Sequence, residues 1–239
     1  MIRLLRRIWQ KRWVLRSLPF SIYFNFHYLP FKQAIRLPIV LYKPSFRKLK
    51  GSLVILDDVP ITPAMIKLGN YCVSLYPNDG VMIDNNGGAI IFHGKTELNS
   101  GIKISIGPKG TLEFGKNVRS TAHTKIVAYN HIYIDDDVLI GWDCLFMDSD
   151  LHQLTRVKEG HKPIAFGKIY IGKNTWVASK CDIMKNTYLP DNSVAAFRSL
   201  TNRDYGKETH ILLGGAPAEI IKHNIYLDKS NWEIEYPEQ

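Results

Sequence analysis

Four aliphatic residues, then a small one and a β-branched one, recur at every sixth position of the stretch 171–201. The series consists of Ile171, Val177, Ile183, Leu189, Ala195 and Thr201, and the residues between them are mostly small, polar or charged. An amphipathic helix repeats at three and four residues and a half-buried strand at two, so neither explains a period of six. A chain that turns a corner every six residues, with one side chain inward per side, does explain it. The pattern therefore predicts a β-helix solenoid, whose coils bury a core only by stacking on one another.

The same period continues further up the chain. Two runs are joined by a slip of two residues, and a third overlaps them; the runs are Phe114, Ser120, Ile126 and Ile132, then Ile134, Ile140 and Phe146, and separately Ile106, Leu112 and Val118. Asn, Asp and Gly are frequent between the repeat positions. These residues suit corners because they tolerate left-handed backbone angles and form local hydrogen bonds to the main chain.

These repeats resemble the hexapeptide-repeat acyltransferases, and most closely the branch that O-acetylates sugars and cell-surface polysaccharides. The resemblance covers roughly residues 87–222. It implies an all-β fold, a left-handed parallel β-helix with three faces and about eighteen residues per coil. The expected organisation is a basic amphipathic N-terminal cap at 1–50, a β-helix acyltransferase domain at 51–222 and a C-terminal tail at 223–239.

Charge adds a constraint on partners. The net charge is +9, and residues 1–50 contain many Lys and Arg residues but no Asp or Glu. An unopposed basic block favours an anionic partner such as lipid head groups, nucleic acid or a phosphorylated substrate. The block carries no nucleic-acid-binding motif, so that partner is ranked last. Cys72, Cys144 and Cys181 lack metal-type spacing, which favours reduced thiols in a cytoplasmic protein.

The first segment, residues 1–18, intersperses apolar residues with basic ones at helical spacing. Its apolar runs are shorter than the ~20 residues of a membrane span. Two interpretations stay open: a helix that packs on its own protein or on a neighbouring subunit, and an amphipathic helix that lies peripherally on an anionic membrane surface. Pro19 and Pro30 predict short helices that cover the end of the solenoid. Beyond Lys50, the strings LVIL, CVSLY, VMI and AIIF predict strands.

Candidate chemistry lies in the string Asp148-Ser149-Asp150-Leu151-His152. His152 falls six residues after Phe146, where an aliphatic residue is expected, and the period then lapses until Ile171. In the resembled branch the catalytic histidine lies near the start of such an excursion, often in an Asp-x-His-like string. The resemblance thus implies that His152 is a general base oriented by Asp150 or Asp148, and that Asp148 and His161 contact the acceptor. The other histidines, His123 among them, are interpreted as surface or core residues.

The resemblance also implies an acetyl-CoA site between the subunits of a homotrimer. Its candidate coenzyme contacts are Trp176, Ala178, Ser179, Ala196, Arg198 and Arg203. Phe197 and Arg198 depart from the small residues usual in that family. Arg203 has a competing interpretation as a solvated surface charge.

The function expected from these residues is acetyl transfer from acetyl-CoA to a sugar hydroxyl of a surface polysaccharide or its precursor, without a metal. Two alternatives stay open. One is an N-acetyltransferase that acts on an amino sugar or a nucleotide-linked amino sugar. The other is a non-catalytic solenoid that binds glycan or serves as a scaffold.

Overall fold

The computed structural model describes residues 2–56, 58–158 and 160–229, with side chains described from residue 15 onward. Two helices, α1 (Ile2–Tyr28) and α2 (Phe31–Ala34), precede the strands. The strands are β1 (Ile39–Leu41), β2 (Pro44–Ile55), β3 (Ile66–Asn70), β4 (Val81–Phe92), β5 (Thr96–Asn99), β6 (Ile102–Ile106), β7 (Thr111–Phe114), β8 (Val118–Ser120), β9 (Lys125–Ala128), β10 (His131–Ile134), β11 (Leu139–Ile140), β12 (Leu145–Met147), β13 (Ile169–Ile171), β14 (Trp176–Val177), β15 (Asp182–Met184), β16 (Tyr188–Leu189), β17 (Val194–Ala195), β18 (Leu200–Thr201), β19 (Leu212–Gly215) and β20 (Ala218–Lys222).

The strands form a three-sided parallel β-helix. Face A contains β1, β3, β5, β8, β11, β14, β17 and β19. Face B contains the first parts of β2 and β4, then β6, β9, β12, β15 and β18, whereas face C contains their second parts, then β7, β10, β13 and β16. The chain passes from A to B to C in each coil. We call the A–B corner the front edge (Gly101, His123, Asp143, Lys180, Arg198) and the B–C corner the loop edge (Gly87, Asn130, residues 148–168, Asn186).

The predicted repeat positions form the core. All members of the series from Ile171 to Thr201 are buried, as are those of the runs upstream. On face B they stack in register, so that Ile126 lies beneath Phe146 and Phe146 beneath Ile183. Each parallel strand thus places its apolar side chain against the same position of the next coil, and burial of this column stabilises the stack.

The corners also follow the prediction from composition. Asn117, Asp137, Asn174 and Asn192 have positive φ, a conformation that short polar side chains tolerate. The front edge differs, because the left-handed residues of four successive coils there are His123, Asp143, Lys180 and Arg198.

The N-terminal cap differs from the prediction in one respect. The prolines do not divide it into short helices, since Pro19 lies inside the 27-residue helix α1. Pro30 does mark a boundary, because α1 ends at Tyr28 and α2 begins at Phe31. The solenoid itself begins at β1, earlier than the expected residue 51, because β1 already pairs with β3 in register.

Helix α1 caps the first strand edge with polar side chains. The backbone amides of Ile39, Leu41 and Lys43 donate to Asn25 Oδ1, Ser21 Oγ and Ser17 Oγ at 3.1, 3.0 and 3.0 Å. Four residues of helix rise ~6 Å, and two residues of strand rise ~6.7 Å. The two spacings match, so every second strand amide meets a side chain of the helix. The first coil therefore has no open edge along β1.

The C-terminal end is closed by a hairpin. Strand β20 pairs antiparallel with β19 and ends at Lys222. Beyond it the chain is extended and returns along the C–A corner, where the Ile225 amide donates to the His210 carbonyl at 2.8 Å. The string CVSLY is not a strand; residues 71–80 form a loop at the front edge, between β3 and β4.

Candidate active site

The excursion after β12 is a hairpin-like loop that is anchored at its base. The amide of Asp150 donates to the Ala165 carbonyl at 2.9 Å, and the amide of Gly167 donates to the Asp148 carbonyl at 3.0 Å. Lys185, on the next coil, donates to Asp150 Oδ2 at 2.6 Å and to the Ile164 carbonyl at 3.1 Å. The base of the loop is thereby tied to the solenoid while its tip projects into solvent.

His152 lies where the loop leaves this anchored base. The preceding residue, Leu151, has a φ of 58°, an unusual conformation for a leucine that redirects the chain outward. The His152 side chain is exposed, and no residue in the described ranges makes a hydrogen bond or ion pair with its ring. His161 is exposed on the return limb of the same loop. An exposed imidazole without a protein partner is free to meet a substrate.

Neither candidate carboxylate contacts His152. Asp150 is engaged by Lys185. Asp148 is fully buried and accepts the amides of Tyr129 and Asn130 at 2.7 and 2.8 Å. Burial raises the pKa of Asp148, and these backbone amides oppose the rise. The geometry gives Asp148 a structural role at the loop edge in place of the expected contact with substrate.

The candidate coenzyme residues follow face A and the front edge. Trp176 is half-buried on face A, in register between Leu139 and Val194. Ala178 is buried at the corner, and Ser179 Oγ accepts the amide of Trp142 at 3.3 Å.

The front edge is closely packed beneath these residues. A Cβ added at Gly141 would lie 2.6 Å from the Ser179 amide nitrogen, so only glycine allows the two coils to approach this closely. Ala196 is half-buried one coil further on. Small side chains thus line this part of the front edge.

The two candidate arginines lie in different places. Arg198 is exposed at the front edge with a φ of 60°, and its guanidinium lies 5.5 Å from the centroid of the Phe197 ring. Arg203 lies past the end of face B, where it donates to the Ala218 carbonyl at 2.8 Å and pairs with Glu219. This hydrogen-bonded pairing raises the pKa of Arg203 and lowers that of Glu219. Arg203 thus stabilises the closing hairpin and is not a free surface charge.

Within one chain the candidate residues therefore form two groups on opposite edges of face B. The base and its loop lie on the loop edge, and the small residues with Arg198 lie on the front edge. The strand between Cys181 and Lys185 covers roughly 13 Å at 3.3 Å per residue. A base must come within about 3 Å of the proton that it accepts. One chain does not bring the two groups together.

Two features of this region were not anticipated from the sequence. One is Lys185, whose ties to the loop depend on its position in the next coil. The other is a front-edge cluster in which the Tyr76 hydroxyl donates to Asp143 at 2.6 Å and the Tyr76 ring packs on His123, with 4.6 Å between centroids. A coil of about eighteen residues places His123 and Asp143 at equivalent corners. That spacing is the sequence signal from which their proximity could have been predicted.

The residues that the structure describes contain neither a metal-type cluster nor a membrane-spanning helix. No group of three His, Cys, Asp or Glu side chains there has a geometry that could hold a metal ion. No helix among these residues is both long and apolar enough to cross a bilayer.

Comparison with known proteins identifies the fold of this chain. No protein-family model matches the chain, and no curated protein matches it. Among solved structures, the polySia specific acetyltransferase NeuO superposes with a TM-score of 0.52 at 20% identity, over 80% of this chain and 74% of that chain. This chain has the left-handed β-helix fold. The resemblance inferred from the six-residue period is therefore confirmed at the level of fold.

Two further solved structures are similar to smaller extents. The hexapeptide-repeat containing acetyltransferase VCA0836 of Vibrio cholerae O1 biovar eltor, complexed with acetyl coenzyme A, has a TM-score of 0.38 at 18% identity, over 59% of this chain and 69% of that chain. AntD, an N-acyltransferase from Bacillus cereus in complex with dTDP and coenzyme A, has a TM-score of 0.37 at 15% identity, over 82% and 90%.

Proposed function

We propose that this chain is an acetyl-CoA-dependent O-acetyltransferase that acts on a sugar hydroxyl of a cell-surface polysaccharide or its precursor. The observation that carries the proposal is His152, an exposed ring without a described protein partner at the root of an anchored loop. The fold shared with NeuO, described as a polySia specific acetyltransferase, supports an acyl-transfer reaction on a saccharide.

The chemistry requires one base and one thioester. A neutral His152 nitrogen accepts the proton of the sugar hydroxyl as its oxygen attacks the acetyl carbonyl of acetyl-CoA. The tetrahedral intermediate collapses, the C–S bond breaks, and the CoA thiolate takes the proton from the imidazolium. The products are a sugar acetate and CoA. Backbone amides at a coil corner supply the donors that stabilise the oxyanion. No acetyl-enzyme forms in this direct transfer.

The separation of the two residue groups supports a site made by two copies of the chain. If the loop edge of one copy lies against the front edge of the next, His152 approaches the small residues Ala178, Ser179 and Ala196. A three-sided prism repeats such a head-to-tail contact three times and closes. We therefore propose a homotrimer with one acetyl-CoA at each interface, its pantetheine arm along the front edge and against Trp176.

The test is acetyl-CoA turnover with a panel of surface oligosaccharides. The wild type should release CoA only when an acceptor is present. His152→Ala should lower kcat by roughly 10²–10⁴-fold while CoA binding and the melting temperature stay unchanged, because general-base catalysis contributes about that much. His223→Ala is the matched control, since His223 is a surface ring paired with Glu208.

Three outcomes would redirect the proposal. Equal turnover by His152→Ala and wild type would show that His152 is structural. Turnover with amine but not hydroxyl acceptors would identify an N-acetyltransferase. Failure of the folded wild type to bind CoA would leave a shared fold without the activity, and the scaffold interpretation would then replace this one.

We also propose that α1 holds the enzyme at an anionic membrane surface. Its polar stripe, Ser17, Ser21 and Asn25, faces the protein, whereas Leu15 and Ile22 are 64% and 40% exposed. The helix thus presents apolar side chains to solvent within the basic segment 1–50, the combination typical of an interfacial helix.

Vesicles test this contact. The wild type should co-sediment with vesicles that contain phosphatidylglycerol but not with pure phosphatidylcholine. The double substitution Leu15→Ser and Ile22→Ser should release it, while Leu75→Ser, an exposed control on the loop 71–80, should not. Equal binding by the double variant would remove the membrane contact from the proposal.

A further inference from the structure

A cavity of about 200 Å³ opens on face B beside the front edge, on the N-terminal side of the candidate coenzyme residues. Its lining consists of Asp79, Gly101, Lys103, His123, Lys125 and Asp143. None of these residues belongs to the two groups that form the proposed active site. The loop 71–80 forms one wall of the cavity, since Asp79 lies in that loop and Tyr76 reaches across to Asp143.

The acidic side of the cavity is held in place. Asp143 accepts the Tyr76 hydroxyl, and the Asp79 amide donates to Ser100 Oγ at 2.7 Å. His123 Nε2 lies 3.1 Å from Asp79 Oδ2, close enough for an ion pair, but without the geometry of a hydrogen bond. The Asp79 carboxylate thus retains accepting capacity toward the cavity.

The basic side of the cavity carries two ammonium groups without a paired carboxylate among the described residues. Lys103 and Lys125 occupy the same register position on the adjacent strands β6 and β9, about 4.8 Å apart along the helix axis. No described residue pairs with either ammonium group. Like charges placed directly opposite on neighbouring strands repel each other. An anion between the two ammonium groups would relieve that repulsion and form two charge-assisted contacts.

The cavity and the proposed coenzyme residues lie along the same front edge. The Asp143 amide donates to the Ala122 carbonyl at 3.0 Å, and the next step up is the bond from Trp142 to Ser179. A molecule in the cavity therefore lies one to two coils below Ser179. On the proposed function, an acceptor held here lies at the edge along which the pantetheine arm runs.

We propose that this cavity binds the acceptor, and that the acceptor is a saccharide carrying a carboxylate or phosphate group. Lys103 and Lys125 bind the anionic group, and Asp79 accepts hydrogen bonds from neighbouring sugar hydroxyls. His123 and Tyr76 shape the wall. This inference rests on the proposed function and adds the substrate class: an anionic rather than a neutral glycan.

The experiment compares matched acceptors at saturating acetyl-CoA. One pair is a uronic-acid-containing oligosaccharide and its carboxyl-reduced counterpart; the other is a phosphorylated oligosaccharide and its dephosphorylated form. The wild type should prefer one charged member, and which pair shows the preference identifies the anion. In Lys103→Gln with Lys125→Gln, the KM for that acceptor should rise at least tenfold, while kcat and the KM for acetyl-CoA stay within twofold.

Lys116→Gln is the matched control, because Lys116 is an exposed lysine at the C–A corner, away from the cavity. A wild type that prefers the neutral member of both pairs, or a double variant with an unchanged KM, would overturn the inference. Saturation-transfer NMR without acetyl-CoA measures binding of the charged oligosaccharides directly. It therefore tests the cavity separately from the proposed acetyltransferase activity. Loss of binding in the double variant supports the cavity even if no turnover occurs, whereas turnover with equal binding refutes only the cavity.

Discussion

The two edges of face B are built in opposite ways. At the loop edge the chain leaves the solenoid for residues 148–168, and the His152 ring is exposed. At the front edge the coils above the loop 71–80 turn tightly, and Gly141 allows the backbone of one coil to approach Ser179 of the next. The loop edge thus presents an exposed imidazole on a projecting loop, whereas the front edge presents closely packed corners. A single chain therefore holds the proposed base and the proposed coenzyme surface apart.

The largest expected effect comes from mixing two inactive variants. Ala196→Trp should block the front edge, and His152→Ala should remove the base, so each variant alone is inactive. Co-refolded in equal amounts, they should regain about a quarter of wild-type turnover, because about one interface in four of a cyclic trimer combines an intact loop edge with an intact front edge. CoA release by a thiol assay measures it. Mixtures that stay inactive would place the whole site in one chain.

A smaller effect is expected at the support of the loop. Lys185→Met removes the ties to Asp150 and to the Ile164 carbonyl, so the loop root should shift relative to the coil. We expect roughly a tenfold loss of kcat, because small misplacements of a catalytic group cost up to about 10² in rate. Lys185→Arg should restore part of the activity. Steady-state kinetics with Lys168→Met as the control measures this, and a normal kcat in Lys185→Met would show that the tie is dispensable.

At the front edge, Tyr76→Phe should loosen the loop 71–80. Loss of the bond to Asp143 should lower the free energy of unfolding by about 1 kcal/mol at pH 8. Desolvation and the bond to Asp143 raise the pKa of Tyr76 from 10.0 to about 12. The folded state therefore holds this proton more tightly than the unfolded state, so the contribution is complete below pH 10 and is lost as the pH rises toward 12.

Urea unfolding at pH 8 and pH 11 tests whether the stabilising contribution of Tyr76 falls as the pH rises. The difference in stability between wild type and Tyr76→Phe should shrink at pH 11, because the wild type is then losing the contribution that the variant lacks. A difference that stays constant or grows would refute the assigned role of the Tyr76 hydroxyl.

The smallest effect concerns the thiols beneath the front edge. Burial raises the pKa of Cys144 to about 12 and that of Cys181 to about 11. Since only the thiolate reacts, both should label slowly at pH 8, whereas the exposed Cys72 should label first. A disulfide-exchange reagent followed over time, with Cys72→Ser as the control, measures the rates. Rapid labelling of Cys144 or Cys181 in that variant would show that the front edge opens readily.

The regular coils were predictable from the sequence, whereas the single long helix of the cap and the loop 71–80 were not. The six-residue period depends on one inward side chain per face, so Ile171, Ile183 and Leu189 reveal their burial through spacing alone. The string CVSLY has the composition of a strand, yet residues 71–80 form a loop, because local propensity is overridden by the register of the coils around it. Pro19 similarly lies within a long helix that the first coil holds through Ser17, Ser21 and Asn25.

In the candidate site, too, some residues were predicted from the sequence and their contacts were not. His152 was found because an imidazole interrupts an aliphatic period, and the roles expected for Trp176, Ala178 and Ala196 came from a family resemblance. The sequence did not reveal that Asp148 is buried under backbone amides or that Lys185 engages Asp150. Those contacts join residues separated by one coil, and their chemistry depends on which side chains the corners turn inward or outward.

The repeat, the solenoid that it requires and the position of His152 outside the repeat can all be read from the amino-acid sequence, because periodic burial depends on spacing along the chain. The folded coils were needed to show which edge each candidate residue occupies, which candidate side chains are already paired, and that Lys103 and Lys125 share a cavity with Asp79. Stacking brings residues about twenty positions apart into contact, so distances between side chains and the charges left unpaired are properties of the folded coils.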